Sequence, residues 1–88
     1  MESQRVDKWL WFVRVVKSRS LAARLVAEGH VRLNGKRIDA PARPVGRGDV
    51  LTIALERQVR VLKVLGFSER RGPFAQMKQL YEDLSDGS

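Results

Sequence analysis

The tripeptide Lys17-Ser18-Arg19 combines residue types and spacing suited to binding an anion. It joins two short segments with apolar periodicity, so it falls where a helix is expected to begin and where backbone N–H groups lack partners within that helix. The helix dipole favours an anion at such a position, and the two cations strengthen that preference. An arginine can also hold two phosphate oxygens at once. The predicted chemistry is therefore noncovalent binding of phosphate groups.

A second candidate group follows at residues 31–38, where Asn34-Gly35 lies between alternating apolar and basic side chains. Asn-Gly is the strongest short signal for a two-residue hairpin turn. Gly35 is predicted to serve only the turn, whereas Asn34 has either a structural or a binding role. The hairpin brings a further cation, Lys36, near the first group.

Two helices are predicted to position the tripeptide. Segment 5–16 has one apolar side at the 3.6-residue period, which is typical of a helix packed on a core. The residues of that side are Val6, Trp9, Leu10, Val13 and Val16. Ser18 is the expected N-cap of the second helix, and Gly29 is its expected left-handed stop.

Strands and a last helix complete the predicted fold. Segments 50–53 and 59–64 favour strands, and Pro73 favours the first turn of a helix. The side chains that recur at helical spacing after it are Phe74, Met77, Leu80, Tyr81 and Leu84. The predicted class is α+β, with two short N-terminal helices packed on a small, mostly antiparallel sheet and a C-terminal helix. We expect a domain over residues 1–72, with a core motif at about 5–55, and a helix and tail at 73–88 packed on it.

Composition limits the kinds of function. The chain has 88 residues, a formal net charge of +7, no cysteine and one histidine. Residues 1–38 carry nine basic and three acidic side chains, so an anion-binding face is expected there. The chain is short for an enzyme, and its acids are dispersed. We predict a cytoplasmic, monomeric binding protein with no catalytic residues, metal, cofactor, membrane association or small-molecule substrate.

The spaced motif over residues 5–55 resembles the RNA-binding domain family named after small-subunit ribosomal protein four. The matching residues are Arg5-Val6-Asp7-Lys8, Leu10, Arg14, Lys17-Ser18-Arg19, Ala22, Gly29, Val31, Asn34-Gly35 and Gly48-Asp49. Within that group, the sequence is similar to the bacterial fifteen-kilodalton heat-shock family and its ribosome-quality-control relatives. The residues that carry this closer similarity are Asp7-Lys8-Trp9-Leu10-Trp11, Glu69-Arg70-Arg71 and Leu80-Tyr81-Glu82.

The resemblance implies a partner and a binding face. The implied partner is rRNA of the large ribosomal subunit, with tRNA of a nascent chain after stalled translation or heat stress. The implied RNA-binding residues are Arg5, Lys8, Arg14, Lys17, Ser18, Arg19, Asn34 and Lys36. Longer family members carry a basic C-terminal extension that is missing from this sequence, so its contacts are not implied.

Alternatives remain open at this level. A general regulator that binds DNA or RNA away from the ribosome would use the same basic face. Arg24, Arg32 and Arg37 have either peripheral RNA contacts or a role in solubility. Trp9 and Trp11 point about 200° apart on a helix, so Trp9 is assigned to the core. Trp11 is predicted to be covered by the last helix through Leu80 or Tyr81, with base stacking or a protein partner as the alternative.

Overall fold

The computed structural model describes residues 2–85, and its α+β architecture confirms the predicted fold class. The helices are α1 (Val6–Phe12), α2 (Arg19–Ala27) and the single turn α3 (Phe74–Met77), which continues as a 3-10 turn at Lys78–Leu80. The strands are β1 (Gln4–Arg5), β2 (Val31–Leu33), β3 (Lys36–Arg37), β4 (Pro44–Val45), β5 (Val50–Ala54), β6 (Val59–Val64) and β7 (Tyr81–Asp83).

Five strands form an antiparallel sheet in the order β3-β2-β5-β6-β7, while β1 pairs with β4 beside it. The register sets Val31 opposite Ile53, and Leu51 opposite Leu62. These four side chains are at most 1% exposed, because alternate strand residues face the same side of a sheet. The apolar sides of α1 and α2 pack with that side in one core. The sheet and core thereby hold the α1–α2 connection in place.

The two N-terminal helices end in the same hydrogen-bond pattern. At the end of α2, Gly29 has φ 83° and the His30 N–H donates to the carbonyl of Leu25 at 2.9 Å, which confirms the predicted stop. Helix α1 ends at Phe12, earlier than predicted, because Arg14 adopts φ 63° and the Val15 N–H donates to the Leu10 carbonyl at 3.1 Å.

The predicted C-terminal helix is wrong beyond residue 80. Tyr81–Asp83 forms strand β7, with Tyr81 opposite Val64 on β6. Pairing satisfies backbone groups along β6 that a helix would leave open, and it buries Tyr81 against the core. Phe74 and Leu84, predicted for the packed side of the helix, are 54% and 44% exposed. Residues 86–88 of the predicted tail lie outside the described residues, and the boundary at residue 72 stays a prediction.

The two tryptophans have different environments. Trp9 is fully buried, as predicted, and its Nε1–H donates to the Gly66 carbonyl at 2.9 Å. Tyr81 meets Trp9 edge to face, with ring centroids 6.4 Å apart. Trp11 is partly buried beneath the guanidinium of Arg71, whose central carbon lies 5.3 Å from the ring centroid. Arg71, from the segment before α3, thus covers one face of Trp11, and the cover predicted from Leu80 or Tyr81 stays a prediction.

Candidate nucleic-acid interface

The α1–α2 turn presents two exposed cations on either side of a capping serine. The Leu21 N–H donates to Ser18 Oγ at 3.1 Å, which confirms Ser18 as the N-cap of α2. Within residues 2–85, no carboxylate lies within salt-bridge distance of Lys17 or Arg19. Their charges therefore add to the positive end of the α2 dipole without local neutralisation.

Arg14 lies in the same turn, and a distant segment holds it there. Its Nε–H donates to the carbonyl of Gly72 at 2.6 Å. Arg71 donates from Nε to the Trp11 carbonyl at 3.0 Å and from Nη2 to the Val16 carbonyl at 3.3 Å. In the sequence, Arg71 indicated only the family resemblance of residues 69–71, and no such role was predicted for it.

Arg5 is oriented by an aspartate at the start of α1. Its Nε and Nη2 groups donate to the two carboxylate oxygens of Asp7 at 3.0 and 2.9 Å, a bidentate arrangement. Asp7 is only 2% exposed and also accepts the Lys8 N–H at 2.7 Å, whereas the Arg5 side chain is 48% exposed. In the sequence, Asp7 is one of several dispersed acids; its contacts in the structure show that it orients a predicted binding residue.

Lys8 lies on α1 between the turn and the hairpin side of the molecule. Its Nζ is 5.7 Å from the centroid of the Phe12 ring, one helical turn further along. This separation permits a cation–π contact that holds the lysine stem along the helix. Lys8 is partly exposed, so its charge remains accessible to solvent.

The hairpin has the predicted two-residue turn, with φ 51° at Asn34 and 84° at Gly35. The Asn34 side chain is used inside the protein: its Oδ1 accepts the Val50 N–H at 2.8 Å, and its Nδ2 donates to Asp49 at 3.1 Å. Asp49 also accepts the Gly46 N–H at 2.8 Å, so it stabilises the turn before β5 as well. Of the two roles left open for Asn34, the structure displays the structural one.

A shallow groove beside the hairpin brings together cations from separate parts of the sequence. Its lining residues are Leu33, Asn34, Lys36, Arg37, Ile38 and Arg43. The Arg43 carbonyl accepts the Val6 N–H at 2.8 Å, so this residue joins the hairpin side to the start of α1. Arg43 was not among the residues predicted from the sequence. In the sequence, Arg43 is a cation between two prolines, and this pattern does not predict a binding residue unless the β1–β4 pairing is known.

The predicted binding residues fall into two groups joined by α1. The turn group is Arg14, Lys17, Ser18 and Arg19; the hairpin group is Arg5, Asn34 and Lys36, with Arg43 added by the structure. Lys8 lies on the helix between them. A helix of seven residues spans roughly 10 Å. This arrangement can contact a phosphate backbone at two separated places.

Neither a membrane-crossing helix nor a metal-binding cluster is found in the described part of the chain. Over residues 2–85, every helix is too short or too polar to cross a membrane. The same residues contain no group of three histidine, aspartate or glutamate side chains arranged to hold a metal ion.

The match to a known family covers the same part of the chain as these two groups. The S4 domain family matches residues 4–51, more than half of the sequence. The chain belongs to the S4 domain family. This finding confirms the resemblance inferred from the spaced motif, and the family is an RNA-binding one.

Individual relatives of this S4-domain chain carry the name Heat shock protein 15. The Escherichia coli K12 protein is 34% identical over 82 residues, covering 93% of this chain and 61% of the relative. The Aeromonas salmonicida homolog is 40% identical over 81 residues, covering 90% and 59%. The trimeric structure of Vibrio cholerae Heat Shock Protein 15 superposes with a TM-score of 0.86 at 34% identity, covering 93% of this chain and 82% of that one. The chain thus spans about three fifths of the length of these two sequence relatives.

Proposed function

We propose that this chain binds structured RNA noncovalently through the turn group and the hairpin group. The observation that carries the proposal is the pair of exposed cations, Lys17 and Arg19, at the capped N-terminus of α2, inside the region matched by the S4 domain family. Free N–H groups, the helix dipole and two cations favour a phosphate at the same place. Structured RNA is recognised mainly through its shape, phosphates and 2′-hydroxyls.

The eight residues of the face that were predicted from the sequence have different parts in it. Lys17, Arg19 and Lys36 are exposed cations suited to direct phosphate contact. Arg5 reaches RNA with the guanidinium edge that Asp7 leaves free, while Lys8 adds charge on α1 and Arg14 adds charge in the turn that follows it. Ser18 and Asn34 contribute by holding the helix start and the hairpin turn in place.

The proposed target is rRNA of the large ribosomal subunit, especially a subunit that holds tRNA with a nascent chain after stalled translation or heat stress. The similarity to Heat shock protein 15 over 93% of the chain supports this choice. We propose that the protein acts in the cytoplasm as a monomer, although the Vibrio cholerae relative has a trimeric structure. Sedimentation equilibrium of the purified protein measures its mass directly; a trimer would contradict the monomer.

Sedimentation with purified large subunits tests the face and the target together. The wild type is expected to pellet more with subunits that carry peptidyl-tRNA than with empty subunits. Lys17→Glu/Arg19→Glu is expected to stay in the supernatant, because two attractive charges become repulsive. Arg57→Glu/Lys78→Glu reverses two exposed cations outside both groups and should pellet like the wild type. Equal pelleting of the folded Lys17→Glu/Arg19→Glu variant would refute the face, and equal pelleting with empty subunits would refute the stalled-chain target.

Salt dependence and competition distinguish the electrostatic mechanism from the alternative of a general nucleic-acid regulator. If about four to six phosphates are neutralised, the logarithm of affinity falls with the logarithm of salt concentration at a slope of roughly −3 to −5. Duplex DNA should compete poorly with rRNA at physiological salt. A salt-independent affinity would contradict phosphate binding, and equal competition by DNA would favour the general regulator.

A further inference from the structure

One guanidinium from outside the S4-matched region closes the connection between α1 and α2. Arg71 donates to the carbonyls of Trp11 and Val16, which come before it by 60 and 55 positions. It also lies 5.3 Å from the centroid of the Trp11 ring. The side chain is partly buried, as expected of a group held by three contacts. These contacts span the whole turn, from the end of α1 to the peptide that precedes Lys17.

The bond to Val16 acts directly on a predicted phosphate-binding residue. The carbonyl of Val16 belongs to the same planar peptide as the N–H of Lys17, so fixing one fixes the other. The Trp11 carbonyl lies in the last turn of α1 and the Val16 carbonyl lies in the connection that follows, and a planar guanidinium can reach both with defined geometry. Arg71 therefore sets the orientation of the chain entering α2.

The turn needs such support because its backbone is strained. Arg14 has φ 63°, a left-handed conformation that is sterically unfavourable for a residue other than glycine. The Arg14 side chain donates to the carbonyl of Gly72, the residue next to Arg71. Three hydrogen bonds, two donated by Arg71 and one accepted by Gly72, thus hold the turn in a conformation that it would otherwise leave more readily.

We propose that Arg71 is a positioning residue that holds the turn group in its RNA-binding conformation without contacting RNA. This inference rests on the proposed function. If the Arg71 side chain is replaced, the turn group samples other conformations, and RNA binds only the fraction of molecules in the binding-competent conformation. The apparent Kd rises as the competent fraction falls, about tenfold if that fraction drops to about a tenth. The number of phosphates contacted stays the same.

The test compares charge-conserving and charge-removing changes at two adjacent arginines. Arg71→Lys keeps the positive charge but loses the planar guanidinium that donates to two carbonyls. Arg71→Gln loses both the charge and the guanidinium. Arg70→Gln is the matched control, because the Arg70 side chain is exposed and its described hydrogen bonds are through the backbone. Binding to purified, protein-free large-subunit rRNA is measured over a salt series for these variants and for Lys17→Gln.

We expect Arg71→Lys and Arg71→Gln to weaken binding about tenfold with an unchanged salt slope. Lys17→Gln should reduce the slope by about 1, and Arg70→Gln should bind within about twofold of the wild type. Wild-type affinity of Arg71→Lys, together with a slope reduced by about 1 in Arg71→Gln, would make Arg71 a phosphate contact and overturn the positioning role.

Amide hydrogen exchange of the free protein separates this inference from the proposed function. The Arg14 and Val15 amides bond to the Trp11 and Leu10 carbonyls, so they should exchange faster in both Arg71 variants. Amides of β5 and β6 should keep their wild-type protection, which shows that the fold is intact. Unchanged exchange at Arg14 and Val15 would refute the positioning role alone. Wild-type RNA binding by Lys17→Gln and Lys17→Glu/Arg19→Glu would refute the binding face and, with it, the role of Arg71.

Discussion

The ends of α1 and α2 have the same hydrogen-bond geometry but are stabilised by different means. The left-handed position is Gly29 after α2 and Arg14 after α1. Glycine adopts this conformation without a steric penalty, so the end of α2 is specified by its own residues. Arginine does not, and the end of α1 is held by bonds to Arg71 and Gly72. The comparison shows that the helix end nearest the proposed phosphate site depends on a distant part of the chain.

The largest expected effect comes from loosening the attachment of the segment after β6, which begins near Gly66 and includes Arg71 and Gly72. Trp9→Phe removes the Nε1–H bond to the Gly66 carbonyl and leaves a cavity in the core. We expect a loss of about 2–3 kcal/mol in the free energy of unfolding, measured by urea denaturation. Exchange should rise more at Arg14 and Val15 than at Gly29 and His30. Trp11→Phe, at a partly exposed site, is the control and should lower the free energy of unfolding less. An equal loss would contradict the conclusion that Trp9 attaches the segment after β6 through its bond to Gly66.

The second effect tests the end of α2, which is specified by its own residues. Gly29→Ala adds a Cβ at φ 83°, and this Cβ overlaps the Arg37 guanidinium. The Arg37 side chain can move away, so the main cost is conformational, about 1–2 kcal/mol of unfolding free energy. Gly35→Ala is a useful comparison, because φ is 84° there and the added Cβ has no neighbour within 4 Å. A neutral Gly29→Ala in thermal unfolding would show that α2 does not depend on glycine.

The third effect measures the strain at Arg14. Arg14→Ala and Arg14→Gly both remove the bond to Gly72 and one charge, but only glycine relieves the left-handed conformation. The glycine variant should therefore be more stable than the alanine variant by about 1 kcal/mol in urea unfolding. Both should bind RNA with a reduced salt slope if Arg14 contacts phosphate. Equal stability of the two variants would show that the Arg14 backbone is not strained, which would contradict one of the observations that support the role of Arg71.

The smallest effect concerns β7, which lies outside both helix ends. Hydrogen bonds from Ser85 and from Arg60 hold the pKa of the Asp83 carboxyl below its usual value. A lowered folded-state pKa adds stability above the unfolded-state pKa of about 3.9, and this stability is lost as pH falls. Asp83→Asn should cost below about 0.5 kcal/mol at pH 7, because the site is exposed.

A pH series of thermal unfolding for wild type and Asp83→Asn checks this sign. The difference between them should shrink toward zero as the pH drops below 4, while exchange at Arg14 and Gly29 stays unchanged in the variant at pH 7. A difference that grows on acidification would contradict the direction of the Asp83 pKa. Faster exchange at Arg14 would show that β7 also supports the α1 end.

Much of the fold followed from the sequence because its signals act between near neighbours. The Ser18 cap, the Gly29 stop and the Asn34-Gly35 turn each join residues within about five positions, and strand alternation marks which side chains face the core. The same local reach explains the error after residue 80. Helical spacing of apolar residues there also fits a short turn followed by a strand, and only the open edge of β6 decides for the strand.

The candidate site divides in the same way. Its exposed cations and its helix N-terminus could be predicted from residue type and position alone. Arg5 and Asp7 are only two positions apart, but an arginine near an aspartate is common on protein surfaces, so the sequence did not indicate their pairing. The places of Arg43 and Arg71 depend on the β1–β4 pair and on contacts across 55 to 60 positions.

The sequence by itself determined the α+β class, the capped start of α2 and the concentration of positive charge near it. Those properties follow from backbone preferences and charge, which each residue carries wherever the chain folds. Only the tertiary structure decided that α1 ends at a strained arginine and that Arg71 closes the turn before Lys17. A guanidinium satisfies the carbonyls of a helix end only when folding brings it there, because its hydrogen bonds depend on distance and angle in space.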